Sequence, residues 1–145
     1  MRCVDVNILV FAHRPEASNH AEHRAWLDAA RAASEPLGLS DVVASGFLRV
    51  ATHPRVFKEP SPLAVAIDFV EALRGSPATI PVTAGDRHWE IFVDLCRRVG
   101  ASGNTIPDAY LAALAIEHGA VWVTADRGFA RFPGLRWEHP LDPDS

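Results

Sequence analysis

The sequence predicts a single α/β domain of three layers, α/β/α, around a mostly parallel sheet of four or five strands. Short apolar runs rich in β-branched residues alternate along the chain with longer segments whose apolar residues recur at helical spacing. The run Ala120–Thr124 is apolar without alternation, which is typical of a strand covered on both faces. Strands that alternate with helices imply right-handed crossovers and therefore parallel pairing.

The N-terminal run Arg2–Ala12 is predicted to form the first strand. Asp5 interrupts this run at a position where burial is expected, and Asn7 is predicted to lie on the same strand face. A carboxylate inside a buried strand is costly unless it is paired or bound to a metal. Asp5 is therefore the first residue that calls for a functional explanation.

The middle of the chain is predicted to alternate four helices with two further strands. Side chains that cap helices mark several starts, and Pro or Gly residues mark the ends. The predicted helices span 19–34, 40–51, 61–74 and 83–99, and the predicted strands span 37–39 and 79–82.

The stretch 104–129 is predicted to fold as helix, tight turn, buried strand and acidic loop. Thr105 is predicted to cap the helix, Asp108 follows it three residues later as in a capping box, and Gly119 supplies a left-handed stop. Asp126 comes just after the strand, at the carboxyl end where parallel α/β sheets keep their sites.

The domain is predicted to span residues 1–139 and to end in a helical turn over 128–132 and a short strand over 135–137. Residues 140–145 are predicted to form a polar tail. At 145 residues the chain is long enough for one hydrophobic core, and its Pro and Gly residues are spread among turns rather than gathered in a linker.

Composition limits the possible functions. The net charge of −4 argues weakly against nucleic-acid binding, yet 13 of the 14 basic residues are Arg, the better bidentate phosphate ligand. No apolar run approaches the ~20 residues that a membrane span needs, so no membrane association is expected. Cys3 and Cys96 have no CxxC spacing, which fits reduced thiols in the cytoplasm.

Three acids, Asp5, Asp108 and Asp126, are predicted to converge. The usual resolution of their mutual repulsion is a hard divalent cation, Mg²⁺ or Mn²⁺, which activates water and stabilises a phosphate transition state. A water-activating acid cluster without Lys, Cys or a Ser–His pair favours phosphodiester hydrolysis over acyl chemistry. Two purely structural alternatives stay open: Asp108 could cap a helix, and Asp126 could be a turn residue.

Three motifs resemble those of the PIN domain and, more narrowly, of the VapC toxin ribonucleases of bacterial toxin–antitoxin pairs. The motifs are Val4-Asp5-Val6-Asn7, Asn104-x-x-x-Asp108-Ala109 and Thr124-Ala125-Asp126-Arg127-Gly128-Phe129. The order and length of the elements also agree, so the resemblance covers nearly the whole chain.

The resemblance implies a Mg²⁺- or Mn²⁺-dependent endoribonuclease that cuts tRNA or rRNA. It also implies a VapB-type antitoxin that neutralises the enzyme, a homodimer and a toxin–antitoxin hetero-oligomer. By position, Asp5 and Asp108 would be direct metal ligands, and Asp126 would complete the site directly or through water. The residues that would hold the carboxylates or support the loop are Asn7, Thr124 and Asn104.

The sequence departs from the family pattern at two positions. Many PIN domains carry a Glu about six residues after the Ser that caps the second helix, and counting from Ser40 gives Gly46. Many also carry a further Asp where this chain has Gly128. The departures weaken the case for a second metal ion more than for the first. We hypothesise that Arg49, on the same helix face as Gly46, contacts a substrate phosphate.

Other basic residues are less decisive. Arg127, together with Arg131, either binds RNA or is a solvent-exposed residue with no role in binding. The His20 and His23 pair is a possible zinc site that lacks a third ligand in view. A phosphoacceptor receiver domain would need a late Lys, and none follows Lys58. The main alternative is a PIN domain that binds RNA or its antitoxin without cutting.

Overall fold

Residues 1–142, the part of the chain that the computed structural model describes, form six α-helices and five strands, with two helices between each pair of the first four strands. The strands are β1 (Arg2–Val4), β2 (Leu37–Leu39), β3 (Thr79–Pro81), β4 (Val121–Val123) and β5 (Trp137–Glu138). The helices are α1 (Val6–His13), α2 (His20–Ala32), α3 (Asp41–Ala51), α4 (Leu63–Arg74), α5 (His88–Val99) and α6 (Thr105–Glu117). A short 3₁₀ helix covers Arg127–Arg131.

The five strands form one parallel sheet in the order β3-β2-β1-β4-β5, which confirms the predicted fold class. The chain builds outward from β1 on one side and then returns to start the other side at β4. Ligands of open α/β sheets bind at the carboxyl ends of the strands beside such a switch point. Asp5 follows β1 directly and Thr124 follows β4 directly, so both lie at this switch point.

The N-terminal strand is much shorter than the sequence predicted, because β1 ends at Val4 and α1 begins at Val6. Asp5 is the N-cap of α1, and its side chain accepts a hydrogen bond from the Val6 N–H. Asn7 therefore lies in the first turn of a helix rather than on a strand face. A continuous apolar run suits a buried strand and a buried helix equally well, so periodicity alone does not separate them.

Helix boundaries follow the local cap signals where a side chain actually provides the cap. Ser40 caps α3 as predicted, since its Oγ accepts the Val43 N–H at 3.1 Å. Gly119 has a left-handed φ of 62° just after α6, also as predicted. The prediction that Thr105 caps α6 is wrong: Thr105 is the first helical residue, and the Asn104 side chain makes no capping hydrogen bond.

The fourth predicted helix begins five residues late, at His88 instead of Thr83. The Glu117 carboxylate at the end of α6 accepts the backbone N–H groups of Gly85 at 2.7 Å and Arg87 at 2.9 Å. A side chain from another helix thus holds the preceding segment in a non-helical turn, and no local sequence signal reveals such a contact.

The chain end differs slightly from the prediction. The last strand covers Trp137–Glu138, and the predicted helical turn is the 3₁₀ helix that ends at Arg131. Of the predicted tail, residues 143–145 lie outside the described residues. Asp142 forms an ion pair with Arg127 at 3.3 Å, so the described part of the tail contacts the domain.

Helices flank the sheet and bury its apolar strands. Helix α1 packs against α2 and α3, and α5 packs against α6. The largest side chains that are almost wholly buried include Trp122, Phe47 and Phe129. In the described part of the chain, none of the helices combines the length and hydropathy that a bilayer crossing requires.

Candidate active site

Asp5 is a buried carboxylate at the point where the ladder between β1 and β4 ends. Its side chain is 6% exposed, and its backbone N–H donates to the Val123 carbonyl at 3.0 Å. Oδ1 accepts the Val6 N–H at 2.7 Å, and Oδ2 accepts the Thr124 hydroxyl at 2.7 Å. All these donors are neutral, and within residues 1–142 no cationic side chain forms an ion pair with Asp5.

The pKa of Asp5 reflects this incomplete compensation. Burial raises it to about 6, while the hydrogen bonds from Thr124 and Val6 lower it. The negative charges of Asp108 and Asp126 raise it further, so the three carboxylates are near enough to repel one another. A buried acid with a raised pKa and nearby acids is the electrostatic pattern of a cation site.

Thr124 connects the three polar segments of this region. Its side chain is fully buried, and the hydroxyl donates to Asp5 while it accepts from the Asn7 side-chain amide at 3.2 Å and from the Asp126 N–H at 3.0 Å. Asn7 also accepts the Ala125 N–H at 3.1 Å. The network fixes the start of α1 against the loop that follows β4.

Asp108 lies in the first turn of α6 and is partly exposed. Burial raises its pKa, as does the charge of Asp126, while the Arg131 guanidinium lowers it. Arg131 Nη2 donates to Asp108 Oδ2 at 3.1 Å. Asp108 does not cap its own helix; its side-chain hydrogen bond goes instead to the 3₁₀ helix.

Asp126 is exposed and caps that 3₁₀ helix, because its Oδ1 accepts the Gly128 N–H at 2.8 Å. The turn interpretation of Asp126 is therefore right, and it does not compete with a role in the site. One carboxylate oxygen shapes the loop, and the whole group still contributes negative charge to Asp5 and Asp108.

Comparison with known proteins identifies the family. The PIN-domain family model matches residues 2–135. Ribonuclease VapC43 of Mycobacterium tuberculosis strain H37Rv is 51% identical over 142 residues, which cover 98% of this chain and 97% of that protein. The chain belongs to the PIN-domain family, in its VapC ribonuclease branch. Ribonuclease VapC25 of the same strain is 43% identical over 140 residues, covering 97% and 99% of the two chains.

Solved structures show the same PIN fold at low sequence identity. VapBC2 from Rickettsia felis, bound to a DNA fragment from its promoter, matches with a TM-score of 0.69 and 16% identity, covering 95% of this chain and 97% of that one. Mycobacterium tuberculosis VapC20, a sarcin-ricin loop cleaving toxin, matches with a TM-score of 0.64 and 16% identity, covering 94% and 99%.

The donors of this PIN domain suit a hard divalent cation, although they are not a closed set of ligands. Among the described residues, no three His, Cys, Asp or Glu side chains lie together as a ready-made metal centre. Mg²⁺ normally keeps several waters and binds through one or two carboxylates, so a closed cage is not required. The buried Asp5, which lacks a cationic partner among residues 1–142, fits such an ion.

Gly46 and Gly128, where the resemblance to the PIN domain predicts acids, have close neighbours here. A Cβ added at Gly46 would lie 2.9 Å from Val6 Cγ2, so α1 packs against α3 at this point. A Cβ added at Gly128 would lie 2.9 Å from Asp126 Oδ1 and 3.6 Å from Arg131 Nη2. The space near Gly128 therefore lies beside a carboxylate and a guanidinium.

The remaining predicted site residues lie on the surface. Asn104 is exposed before α6, and Arg49 is exposed on α3 without an ion pair to any described residue. Arg127 is exposed and paired with Asp142. Sequence reasoning did not assign Arg131 to the acid cluster; its place in the TADRGFAR loop, five residues after Asp126, is the signal that was available.

The two histidines of the possible zinc site bind backbone carbonyls instead. His20 Nδ1 is 2.8 Å from the Phe11 carbonyl, and His23 Nδ1 is 2.9 Å from the Asn19 carbonyl. Within residues 1–142 neither belongs to a group of three potential metal ligands. Both side chains fix the start of α2.

Proposed function

We propose that this PIN domain is a divalent-cation-dependent endoribonuclease, the toxin of a VapBC toxin–antitoxin pair. The observation that carries the proposal is Asp5, a buried carboxylate whose pKa is raised by the charges of two other acids and which has no ion-pair partner in the described chain. The ribonuclease names of relatives with 51% and 43% identity support the substrate class.

In this proposal Asp5 and Asp108 hold Mg²⁺ or Mn²⁺. When bound, the ion supplies positive charge to the phosphoryl oxygens and acidifies a water. Asp126 would orient the attacking water or accept its proton. Thr124 and Asn7 keep the Asp5 carboxylate in one orientation, and Asn104 supports the loop before α6. Hydrolysis by water yields a 5′-phosphate and a 3′-hydroxyl.

The proposed substrate is structured RNA, either tRNA or rRNA. VapC20 is named as a toxin that cleaves the sarcin-ricin loop, which is consistent with recognition of an RNA loop by shape. Arg49 and Arg127 are proposed to contact phosphates, because both side chains are exposed. Arg127 would have to exchange its Asp142 partner for the phosphate.

A VapB-type antitoxin is the proposed partner, with a homodimer as the unit that enters a toxin–antitoxin hetero-oligomer in the cytoplasm. The solved relatives include VapBC complexes, one from Rickettsia felis and one from Salmonella typhimurium, both bound to DNA. Size-exclusion chromatography with light scattering, with and without the antitoxin, tests both assemblies.

The second candidate is a PIN domain that binds RNA or antitoxin without cutting. It is favoured by Gly46, because this position has no carboxylate and a Cβ there would lie 2.9 Å from Val6 Cγ2. Both candidates are compatible with RNA binding, so cleavage is the measurement that distinguishes them.

The test is to incubate the purified protein with total bacterial RNA and Mn²⁺ or Mg²⁺ and to map new RNA ends. Controls are EDTA and the Asp5→Asn variant. Discrete cuts with 5′-phosphates that disappear in both controls are expected. RNA binding without cleavage under either metal would refute the enzyme and support the binding module.

A further inference from the structure

Arg131 lies beside Asp108 and beside the loop that carries Asp126, two of the acids of the candidate site. Its guanidinium Nη2 is 3.1 Å from Asp108 Oδ2 and 3.6 Å from the position of a Cβ on Gly128. The same nitrogen therefore lies between the carboxylate of α6 and the loop that carries Asp126. An acid at position 128 would extend from a Cβ that is close to this guanidinium.

Gly46 is the other position where the resemblance to the PIN domain predicts an acid, and it has no side chain to offer as a ligand. Gly46 packs against Val6, and a Cβ there would come within 2.9 Å of Val6 Cγ2. The acids that remain are Asp5, Asp108 and Asp126. Before RNA binds, one divalent cation and one guanidinium together balance the charge of three carboxylates, whereas two divalent cations beside Arg131 would leave a net positive charge.

Arg131 is also placed to bind an anion. Its side chain is 43% exposed, and among the described residues its one hydrogen-bonded partner is Asp108. The guanidinium carbon lies 5.3 Å from the centre of the Phe132 ring, a cation–π contact that helps to position the side chain. A guanidinium has five N–H donors, so the bond to Asp108 leaves donors for a phosphate oxygen.

We infer that Arg131 serves as the second cation of a one-metal active site, contacting a phosphate oxygen of the bound RNA beside the ion held by Asp5 and Asp108. The inference rests on the proposed ribonuclease function and adds a catalytic residue to it. Guanidinium groups stabilise charge that develops on a transferring phosphoryl group without needing acidic ligands of their own.

Arg131→Gln should change Mn²⁺ affinity and RNA cleavage in opposite directions. Loss of the guanidinium frees Asp108 and removes repulsion toward the ion, so Mn²⁺ should bind about two- to fivefold more tightly. Loss of the phosphate contact should lower kcat/KM for RNA by about 10- to 100-fold. If Arg131 only held Asp108 in position, the variant would instead bind Mn²⁺ more weakly.

The experiment measures Mn²⁺ binding by electron paramagnetic resonance and RNA cleavage in parallel. The matched control is Arg24→Gln, which removes another exposed Arg from an Arg–Asp pair, with Asp28 at 3.2 Å, and should change neither quantity. Arg131→Lys keeps the positive charge. Its Mn²⁺ affinity should therefore be close to that of the natural chain, and its cleavage rate should lie between those of the natural chain and Arg131→Gln.

One Mn²⁺ per chain in the natural protein is expected. Two tightly bound Mn²⁺ ions, weaker Mn²⁺ binding by Arg131→Gln, or unchanged cleavage by that variant would each overturn the role of Arg131 and leave the ribonuclease proposal standing. A natural chain that neither binds Mn²⁺ nor cuts RNA would overturn both.

Discussion

Replacing Asp5 with Asn should stabilise the metal-free fold while it abolishes RNA cleavage. The pKa of Asp5 is raised from 3.8 to about 6 in the folded chain, mainly by burial. Between about pH 4 and pH 6 the folded state therefore binds this proton more strongly than the unfolded state does. Stability is lost as the pH rises through that window, and above it the ionised carboxylate carries its full cost.

The magnitude follows from the size of the shift. A pKa displaced by about two units corresponds to a cost of about 3 kcal/mol at pH 7.5. Asn keeps an acceptor for the Val6 N–H but presents an amide to the Thr124 hydroxyl, which loses a hydrogen bond worth about 1–2 kcal/mol. Asp5→Asn should thus gain about 1–2 kcal/mol at pH 7.5. At pH 4.5 only about 1 kcal/mol of the ionisation cost remains, so the gain should vanish.

Urea denaturation in EDTA at both pH values measures the difference, with the Asp28→Asn variant as an exposed control that should show no such gain. Saturating Mg²⁺ should stabilise the natural chain, by about 2.7 kcal/mol at a hundred times its Kd, and leave Asp5→Asn unaffected. A variant that is less stable at pH 7.5, or equally changed at both pH values, would show that the ionised Asp5 is not strained by burial.

Four further substitutions test the rest of the site. Asp108→Asn should lower RNA cleavage by more than about 10²-fold with an unchanged circular dichroism spectrum. Thr124→Val should lower the free energy of unfolding by about 2–3 kcal/mol in urea denaturation, because its buried partners lose the hydroxyl, whereas Thr124→Ser should not. Gly46→Ala should cost about 0–2 kcal/mol in the same assay, since displacing Val6 costs about 1–3 kcal/mol and the alanine regains about 1 kcal/mol of helix stability. Arg49→Ala should weaken RNA binding about three- to tenfold by fluorescence anisotropy, and unchanged binding would refute the Arg49 hypothesis.

The sequence was sufficient to predict the fold class, because apolar runs and helical patterns recur in turn along most of the chain. Local chemistry also predicted the cap at Ser40 and the left-handed Gly119. It failed where a distant side chain decides the local structure. The Glu117 carboxylate delays the start of α5, and no pattern within that segment indicates it.

The same division holds for the candidate site. Asp5 and Asp126 follow β1 and β4, so their position at the same edge of the sheet was predictable from topology once the sheet was known to be parallel. The contact between Arg131 and Asp108 joins residues 23 positions apart and depends on the reach of one flexible side chain. The packing of Val6 against Gly46 depends on how two helices approach each other. Neither leaves a periodic signal, and the catalytic roles themselves stay predictions.

The early end of β1 explains why a buried acid is tolerated at Asp5. In a strand, Asp5 would have needed a charged partner or a metal to be stable. Because the helix starts at Val6 instead, the carboxylate receives a backbone N–H at the positive end of α1 and the hydroxyl of Thr124. These neutral donors hold the group in place but leave its pKa near 6, so its negative charge is only partly compensated. A divalent cation would neutralise that residual charge. A carboxylate whose charge was already fully compensated by the folded protein would bind a cation poorly.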